Sequence, residues 1–277
     1  MNNGVLCFAN NNGRIDYVKQ AEFLATRVKK YLGLPTSLVT STPQDVSNKK
    51  LFDKIIEIQD KNKNTKRYYN GTEPESLLFK NNDRCNSYAY SPYTKTLVLD
   101  TDVIICNDSL KHAFTNNYSF QIYSNCVDLT TWRHHPEFDY INDKGIEFYW
   151  ATAFCFTKDD ISERFFVMLN YVVENYKHFS NVYDLGTRNF RNDHAFSIAI
   201  HVLNGFLEND WIKKLPGSLY YTLDRDHITN ISNDKLTFLL QKEKCHGEYT
   251  LASTKGMNVH VMNKFSLEEI IKWAKDM

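Results

Sequence analysis

The chain has 277 residues, 42% hydrophobic and 24% charged, with 33 basic side chains balancing 33 acidic ones. That length carries one large domain, or a domain with a small appendage, around a real hydrophobic core. Zero net charge argues against a protein that works mainly by coating nucleic acid or an anionic membrane, and no run reaches the roughly 18 apolar residues of a membrane span.

The N-terminal MNNGVLCFANNN lacks the basic and apolar regions of a secretory signal. The six cysteines include no CxxC pair, and several sit in apolar runs such as VLCFA, VIICN and TAFCF. Both features predict buried thiols in a reducing, cytoplasmic setting.

GVLCFAN (4–10) reads as a buried first strand, followed by a polar turn. Tyr17, Ala21, Leu24, Val28 and Tyr31 follow at helical spacing, with Asp16 as N-cap and Gly33 and Pro35 as the stop. TSLVTS (36–41) is a second strand, which completes a parallel α/β unit. LFDKIIEIQ (51–59) fits a helix face or a short strand, 60–75 reads as a loop, and a helix is expected over Glu75 to Tyr88. KTLVLD is a central-strand candidate. Beyond Ser109 helical signals are few until EFYWATAFCFT (147–157), a strand. DDISERFFVMLNYVVENY (159–176) and NDHAFSIAIHVLNG (192–205) are helices. LPGSLYYT and MNVHVM read as late strands, and SLEEIIKWAKDM (266–277) as a closing helix with a Ser266/Glu269 capping box.

The chemistry-bearing stretch is KTLVLDTDVII (95–105), which sets Asp100 and Asp102 inside an oily run. An ionised carboxylate taken from water without a partner is very costly. On a strand, residues i and i+2 share a face, so the pair can reach one hard cation, Mg²⁺ or Mn²⁺. A solvated strand-end turn fits the same letters. A haloacid-dehalogenase-type phosphatase also opens on such a motif, but there it stands near the N-terminus and continues into Gly-Thr, whereas here Val103 and Ile104 follow.

Taken together in order, these segments resemble the GT-A class of nucleotide-sugar glycosyltransferases, nearest the glycogenin and galactosyltransferase branch and its viral or bacterial relatives. The resemblance runs from about residue 4 to 265 and implies an α/β GT-A fold, with a central mostly parallel sheet flanked by helices. It divides the chain into a nucleotide-binding half (1–108) and an acceptor-binding half (109–277).

By the resemblance, the turn ANNNGRIDYVKQA (9–21) brings Asn10 and Tyr17 to the nucleotide, Tyr17 packing on the base. Arg84, sixteen residues before the aspartate pair, or Lys80, contacts the nucleotide-sugar. SPY before the apolar strand recurs in the class. The small-residue strand WATAFCF places Thr152 toward the sugar but lacks the usual Asn-Ser-Gly. NDHAF offers Asp193, followed by His194 where the class has Gln, and the same acid fits a helix N-terminus satisfying free N–H groups. GMNVHVMNKF supplies His260 as third metal ligand and Lys264 for the diphosphate, without the usual Lys-Pro-Trp; His246 is an alternative ligand.

The implied reaction is metal-dependent transfer from a nucleoside diphosphate-sugar, UDP-linked by the resemblance, to a hydroxyl on a glycan, a protein or a modified nucleic acid base. Asp100, Asp102 and His260 then hold Mn²⁺ or Mg²⁺, and Lys264 and Arg84 add charge where charge develops. Asp193 is the base if the configuration inverts; if it is retained, the leaving phosphate takes the proton. The aromatics of YSNCVDLTTWRHHPEF (123–138), including Trp132, are a candidate acceptor platform. Two alternatives stay open beside it: a nucleotidyltransferase of similar fold, for which GVLCFANNNGR is poor in glycine, and a non-catalytic nucleotide-sugar binder, against which the two aspartates with His260 argue.

Overall fold

The computed structural model describes residues 2–59, 66–69, 75–78, 80–81, 83–130, 132–143, 145–186, 189–205, 211–242 and 247–273. Strand β1 (Asn3–Phe8) is buried on both faces from Gly4 onward, as a central parallel strand requires. Helix α1 (Tyr17–Tyr31) follows, its N-terminus capped by Asp16, whose Oδ1 accepts the Lys19 N–H at 2.9 Å. Strand β2 (Thr36–Thr40) then pairs parallel with β1, and β3 (Lys54–Glu57) parallel with β2.

The next segment departs from expectation. Strands β4 (Lys66–Tyr69) and β5 (Glu75–Leu78) form an antiparallel pair where the sequence reads as a loop and the start of a helix. Helical structure there is confined to a 3-10 turn at Asp83–Asn86 and one turn, α2 (Ser87–Tyr90). The backbone of Glu75–Leu78 is taken up by the ladder with Lys66–Tyr69, so it is not free to build a helix, and Asn81 Oδ1 accepts the Asn10 N–H at 2.8 Å, which ties the following segment to the loop after β1.

Strand β6 (Lys95–Leu99) runs parallel to β1. Tyr93 of the SPY triplet packs its ring where a Cβ on Gly4 would stand, 2.3 Å away, and its hydroxyl lies 2.7 Å from Ser37 Oγ. That triplet therefore seats β6 against the first two strands, and only glycine fits opposite it. After β7 (Val103–Ile104), β8 (Phe120–Tyr123) and β9 (Val127–Asp128), strand β10 (Trp150–Thr157) runs antiparallel between β6 and β8. Helices α3 (Asp160–Glu174), α4 (Tyr176–Val182) and α5 (Asn192–Leu203) follow, and β11 (Ile212–Lys214) joins β8 in parallel. The main sheet has the order β11-β8-β10-β6-β1-β2-β3, with four of six pairings parallel. The expected mostly parallel α/β sheet is therefore present, with helices flanking it.

The aromatic richness of the chain goes largely into this core. Phe120, Phe154, Phe156, Phe165 and Phe196 are fully buried and stack or meet edge to face. The five described cysteines are all free thiols, four of them buried. Among the described residues no helix is long and apolar enough to cross a membrane.

A second sheet sits beside the first: β12 (Leu219–Thr222) pairs with β9 and with β16 (Asn258–Val261), which in turn pairs with β7. Between β12 and β16 runs an antiparallel meander of β13 (His227–Ser232), β14 (Lys235–Gln241) and β15 (Tyr249–Lys255). The closing helix α6 (Lys264–Trp273) begins two residues before the expected start. Asn263 takes the capping role, its Oδ1 accepting the Ser266 N–H at 3.0 Å. Ser266 thus lies in the first turn, and the Ser266/Glu269 box does not form the cap.

Candidate active site

Strand β6 stops at Leu99, and Asp100 to Val103 form a turn closed by the Val103 N–H on the Asp100 carbonyl at 3.1 Å. The two carboxylates converge across this turn and not along one strand face, which corrects the pleat argument for the i, i+2 pair. Neighbouring strands pin the turn: the Asp100 N–H donates to Thr152 O and the Val261 N–H to Asp102 O, each at 2.9 Å.

The register of β16 against β7 sets His260 opposite Val103, and Lys264 is the first residue of α6. A strand end and a helix start thus deliver a His and a Lys, four residues apart, to one carboxylate. Asp102 Oδ2 receives Lys264 Nζ at 2.5 Å and lies 3.3 Å from His260 Nε2. Arg84 forms an ion pair with Asp100. These are the partners that burial of two carboxylates demands.

The local electrostatics keep both acids ionised near neutrality. Burial pushes the Asp100 carboxyl up, against the pull of Arg84, to about 6. Burial also acts on Asp102, but the Lys264 ammonium and His260 outweigh it and hold that carboxyl well below the usual range.

Of these groups Arg84, Asp100 and His260 border an open cleft of about 620 Å³, walled also by Trp150, Thr152 and Asp193 among others. A smaller pocket of about 20 Å³ adjoins it, between Phe8, Tyr17, Asn81, Arg84, Asp100, Asp102 and Lys264. Tyr17, at the first position of α1, is buried on that pocket's wall. Thr152 is buried in β10 on the cleft wall. Asp193 stands in the first turn of α5, its Oδ1 accepting the Ala151 N–H at 2.9 Å and its Oδ2 3.5 Å from Arg191.

Asn10 lines neither space. Its Oδ1 accepts the Ser41 N–H at 2.7 Å and its Nδ2 donates to Lys80 O at 3.3 Å, so it ties the loops behind the site together. Lys80 enters through that carbonyl. Trp132 is 45% exposed and off the cleft, whereas Arg133, His135, Glu137 and Phe138 of the same segment line it. His246 lies outside the described residues.

Two cleft residues carry no signal in the sequence. Trp150 stacks on Tyr221 at 5.0 Å, meets Phe138 at 4.9 Å and presents an edge to His260 at 6.2 Å, which braces the imidazole. Arg133 is buried with its guanidinium on both Asp128 and Asp226, at 2.8 Å each.

Asp100, Asp102 and His260 each offer a ligand atom, all within 4.8 Å of one another. Two carboxylate oxygens and an imidazole nitrogen suit Mn²⁺ or Mg²⁺. The donor set therefore fits a divalent cation, with Lys264 and Arg84 on the same carboxylates supplying positive charge beside it.

His194, next to Asp193, is buried with Nδ1 3.3 Å from Tyr176 Oη. Burial, aided by the Arg191 charge, lowers its pKa to about 4. An unfolded histidine titrates near 6.5, so the unfolded chain binds the extra proton first. This contribution to stability is complete above about pH 6.5 and is lost as pH falls toward 4, amounting to about 2 kcal/mol between pH 7 and 5. Urea unfolding of the wild type should show that loss, and His194→Gln should flatten it; an equal slope in the variant contradicts the assignment.

No protein-family model matches the sequence, and no curated protein matches it. Solved structures do align. The galactosyltransferase LgtC, in complex with donor and acceptor sugar analogs, is 15% identical over 76% of this chain and 72% of its own, with a TM-score of 0.46. The glycosyltransferase GlyE of Streptococcus pneumoniae TIGR4 is 14% identical over 78% of this chain and 45% of its own, with a TM-score of 0.45. At these scores the likeness carries no argument, and both the α/β layout and the chemistry of the cleft stand on this chain's own residues.

Proposed function

We propose that this protein is a metal-dependent glycosyltransferase of GT-A type that moves a sugar from a nucleoside diphosphate-sugar, UDP-linked by the sequence resemblance, to a hydroxyl acceptor. The observation that carries the reading is the meeting of Asp100, Asp102 and His260 with Lys264 and Arg84 where the cleft adjoins the small pocket. Departure of a diphosphate from an anomeric carbon needs positive charge placed in advance where the leaving oxygens gain negative charge. A divalent cation held by Asp100, Asp102 and His260 would supply Lewis acidity to that diphosphate.

The remaining work falls to the chain itself. Residues 1–108 bring the base-stacking Tyr17, Arg84 and the aspartate pair; residues 109–277 bring Thr152 and Asp193 to the sugar and the acceptor. Arg84 and Lys264 neutralise the two carboxylates in formal charge, so an added dication leaves two positive charges in excess. The diphosphate of a nucleotide-sugar cancels them, and both side chains can then turn from carboxylate to phosphate oxygens. Cation and nucleotide accordingly bind as a coupled pair. Asp193, anchored by the Ala151 N–H, is placed to hold a sugar hydroxyl or take the acceptor proton.

A panel of nucleotide-sugars tests the reading by thermal unfolding and hydrolysis, with Mn²⁺ and with chelator. The true donor at about 100 Kd adds roughly 2.7 kcal/mol and raises the Tm by about 5 °C or more with Mn²⁺ present. Chelator should erase the shift. No shift with any nucleotide-sugar in the presence of Mn²⁺ contradicts the transferase assignment.

A further inference from the structure

Asn81 is only 3% exposed and is gripped from both halves of the chain. Its Oδ1 accepts the Asn10 N–H at 2.8 Å, and its carbonyl accepts Asn192 Nδ2 at 3.3 Å. Next to it, the Lys80 carbonyl is held by Asn10 Nδ2 at 3.3 Å. A backbone N–H can only donate, so the contact with Asn10 fixes which end of the Asn81 amide is oxygen. The other end, Nδ2, is therefore oriented by the fold, and it is buried with no hydrogen-bond partner among the described residues.

A buried amide left unsatisfied costs about 1–3 kcal/mol, and such a group in a rigid, well-bonded setting calls for an explanation. Asn81 borders the small pocket that also touches Tyr17, Arg84, both aspartates and Lys264. Under the nucleotide-sugar reading, Tyr17 meets the base, while the aspartates and Lys264 serve the metal and the diphosphate. The part of a nucleotide that spans base and diphosphate is the ribose.

We propose that Asn81 is a nucleotide-binding residue whose side-chain NH₂ donates a hydrogen bond to a ribose hydroxyl oxygen of the donor. This rests on the nucleotide-sugar reading and adds to it a residue outside the D-x-D, His260 and Lys264 set. At about 20 Å³ the pocket admits one water and not a sugar ring. For the ribose to enter, Arg84 and Lys264, two of its walls, must turn from their carboxylates toward the diphosphate.

The test is calorimetric titration of UDP, 2′-deoxy-UDP and 3′-deoxy-UDP with Mn²⁺ into wild type and Asn81→Ala. The wild type should bind one deoxy analogue about tenfold more weakly than UDP, and Asn81→Ala should bind that analogue and UDP alike. Equal discrimination in both proteins, or none in the wild type, overturns the role of Asn81. A wild type that binds UDP not at all refutes the nucleotide reading itself, a separate result.

Should the variant not fold, the side-chain amide signal of Asn81 is followed by NMR in ¹⁵N-labelled wild type with Mg²⁺. It should shift with UDP and not with the analogue lacking the contacted hydroxyl. Identical shifts with all three ligands overturn the proposal.

Discussion

Asp102→Asn should lower kcat/KM for sugar transfer on the order of 10³-fold while the chain stays folded. The asparagine oxygen can still accept from Lys264 Nζ, which sits 2.5 Å from the native carboxylate, so the local packing survives. What disappears is the charge that a divalent cation needs, together with the preorganised field at the leaving diphosphate. Lys264→Met sharpens the same point through opposite signs. Removing the ammonium from Asp102 frees that carboxylate from a competing cation, so Mn²⁺ alone should bind about tenfold more tightly. The diphosphate then lacks its lysine, and UDP with saturating Mn²⁺ should bind about tenfold more weakly. Mn²⁺ and UDP titrations of both variants check this. Losses of both affinities together would mean that Lys264 merely supports the fold.

Arg133→Ala should cost about 3–5 kcal/mol of stability, the usual cost of breaking a buried ion pair from one side. The guanidinium holds Asp128 of β9 and Asp226 of the β12–β13 turn, and Asp226 is 1% exposed. Asp226 also accepts the N–H groups of Leu223 at 2.7 Å and Gln241 at 2.9 Å. Without Arg133, Asp226 and Asp128 lose the guanidinium that bridges them, and Asp128 is left beside His135 Nε2 at 3.6 Å. That hub joins the second sheet to the meander along one wall of the cleft, so the loss should appear in guanidinium unfolding. A change below about 1 kcal/mol would show that the network adds little.

The contrast between these two sites shows what a sequence can carry. Asp100 and Asp102 stand out locally, as two carboxylates in an apolar run, whereas His260 and Lys264 are reached only through the family resemblance. Their meeting was legible as an ordered resemblance, although the geometry is a turn at Asp100–Val103 and not a strand face. Arg133 and Asp226 lie in irregular segments and Asp128 ends a two-residue strand, up to 98 positions apart, and nothing local announces that they pair. The same holds for Asn81, whose partners Asn10 and Asn192 are distant in sequence.

Fold elements divide in the same way. Strands β1, β6 and β10 and helices α1, α3 and α5 are long or strongly periodic, and the sequence pattern predicts them where they lie. The β4–β5 pair has too few periodic apolar positions to be separated from a loop or a helix. The burial of β14 alternates cleanly along KLTFLLQ, yet an apolar run of that length fits either period until its partners are known. At α6, Asn263 and not Ser266 caps the helix, because the Ser266 hydroxyl is engaged by the Ile228 N–H and the Asn263 carbonyl.

Mn²⁺ titration followed by electron paramagnetic resonance, with UDP present, addresses the metal centre most directly. The wild type should remove one Mn²⁺ per chain from the free-ion signal, and Asp102→Asn and His260→Ala should not. Equal Mn²⁺ uptake by the wild type and both variants would contradict a cation site built from Asp100, Asp102 and His260.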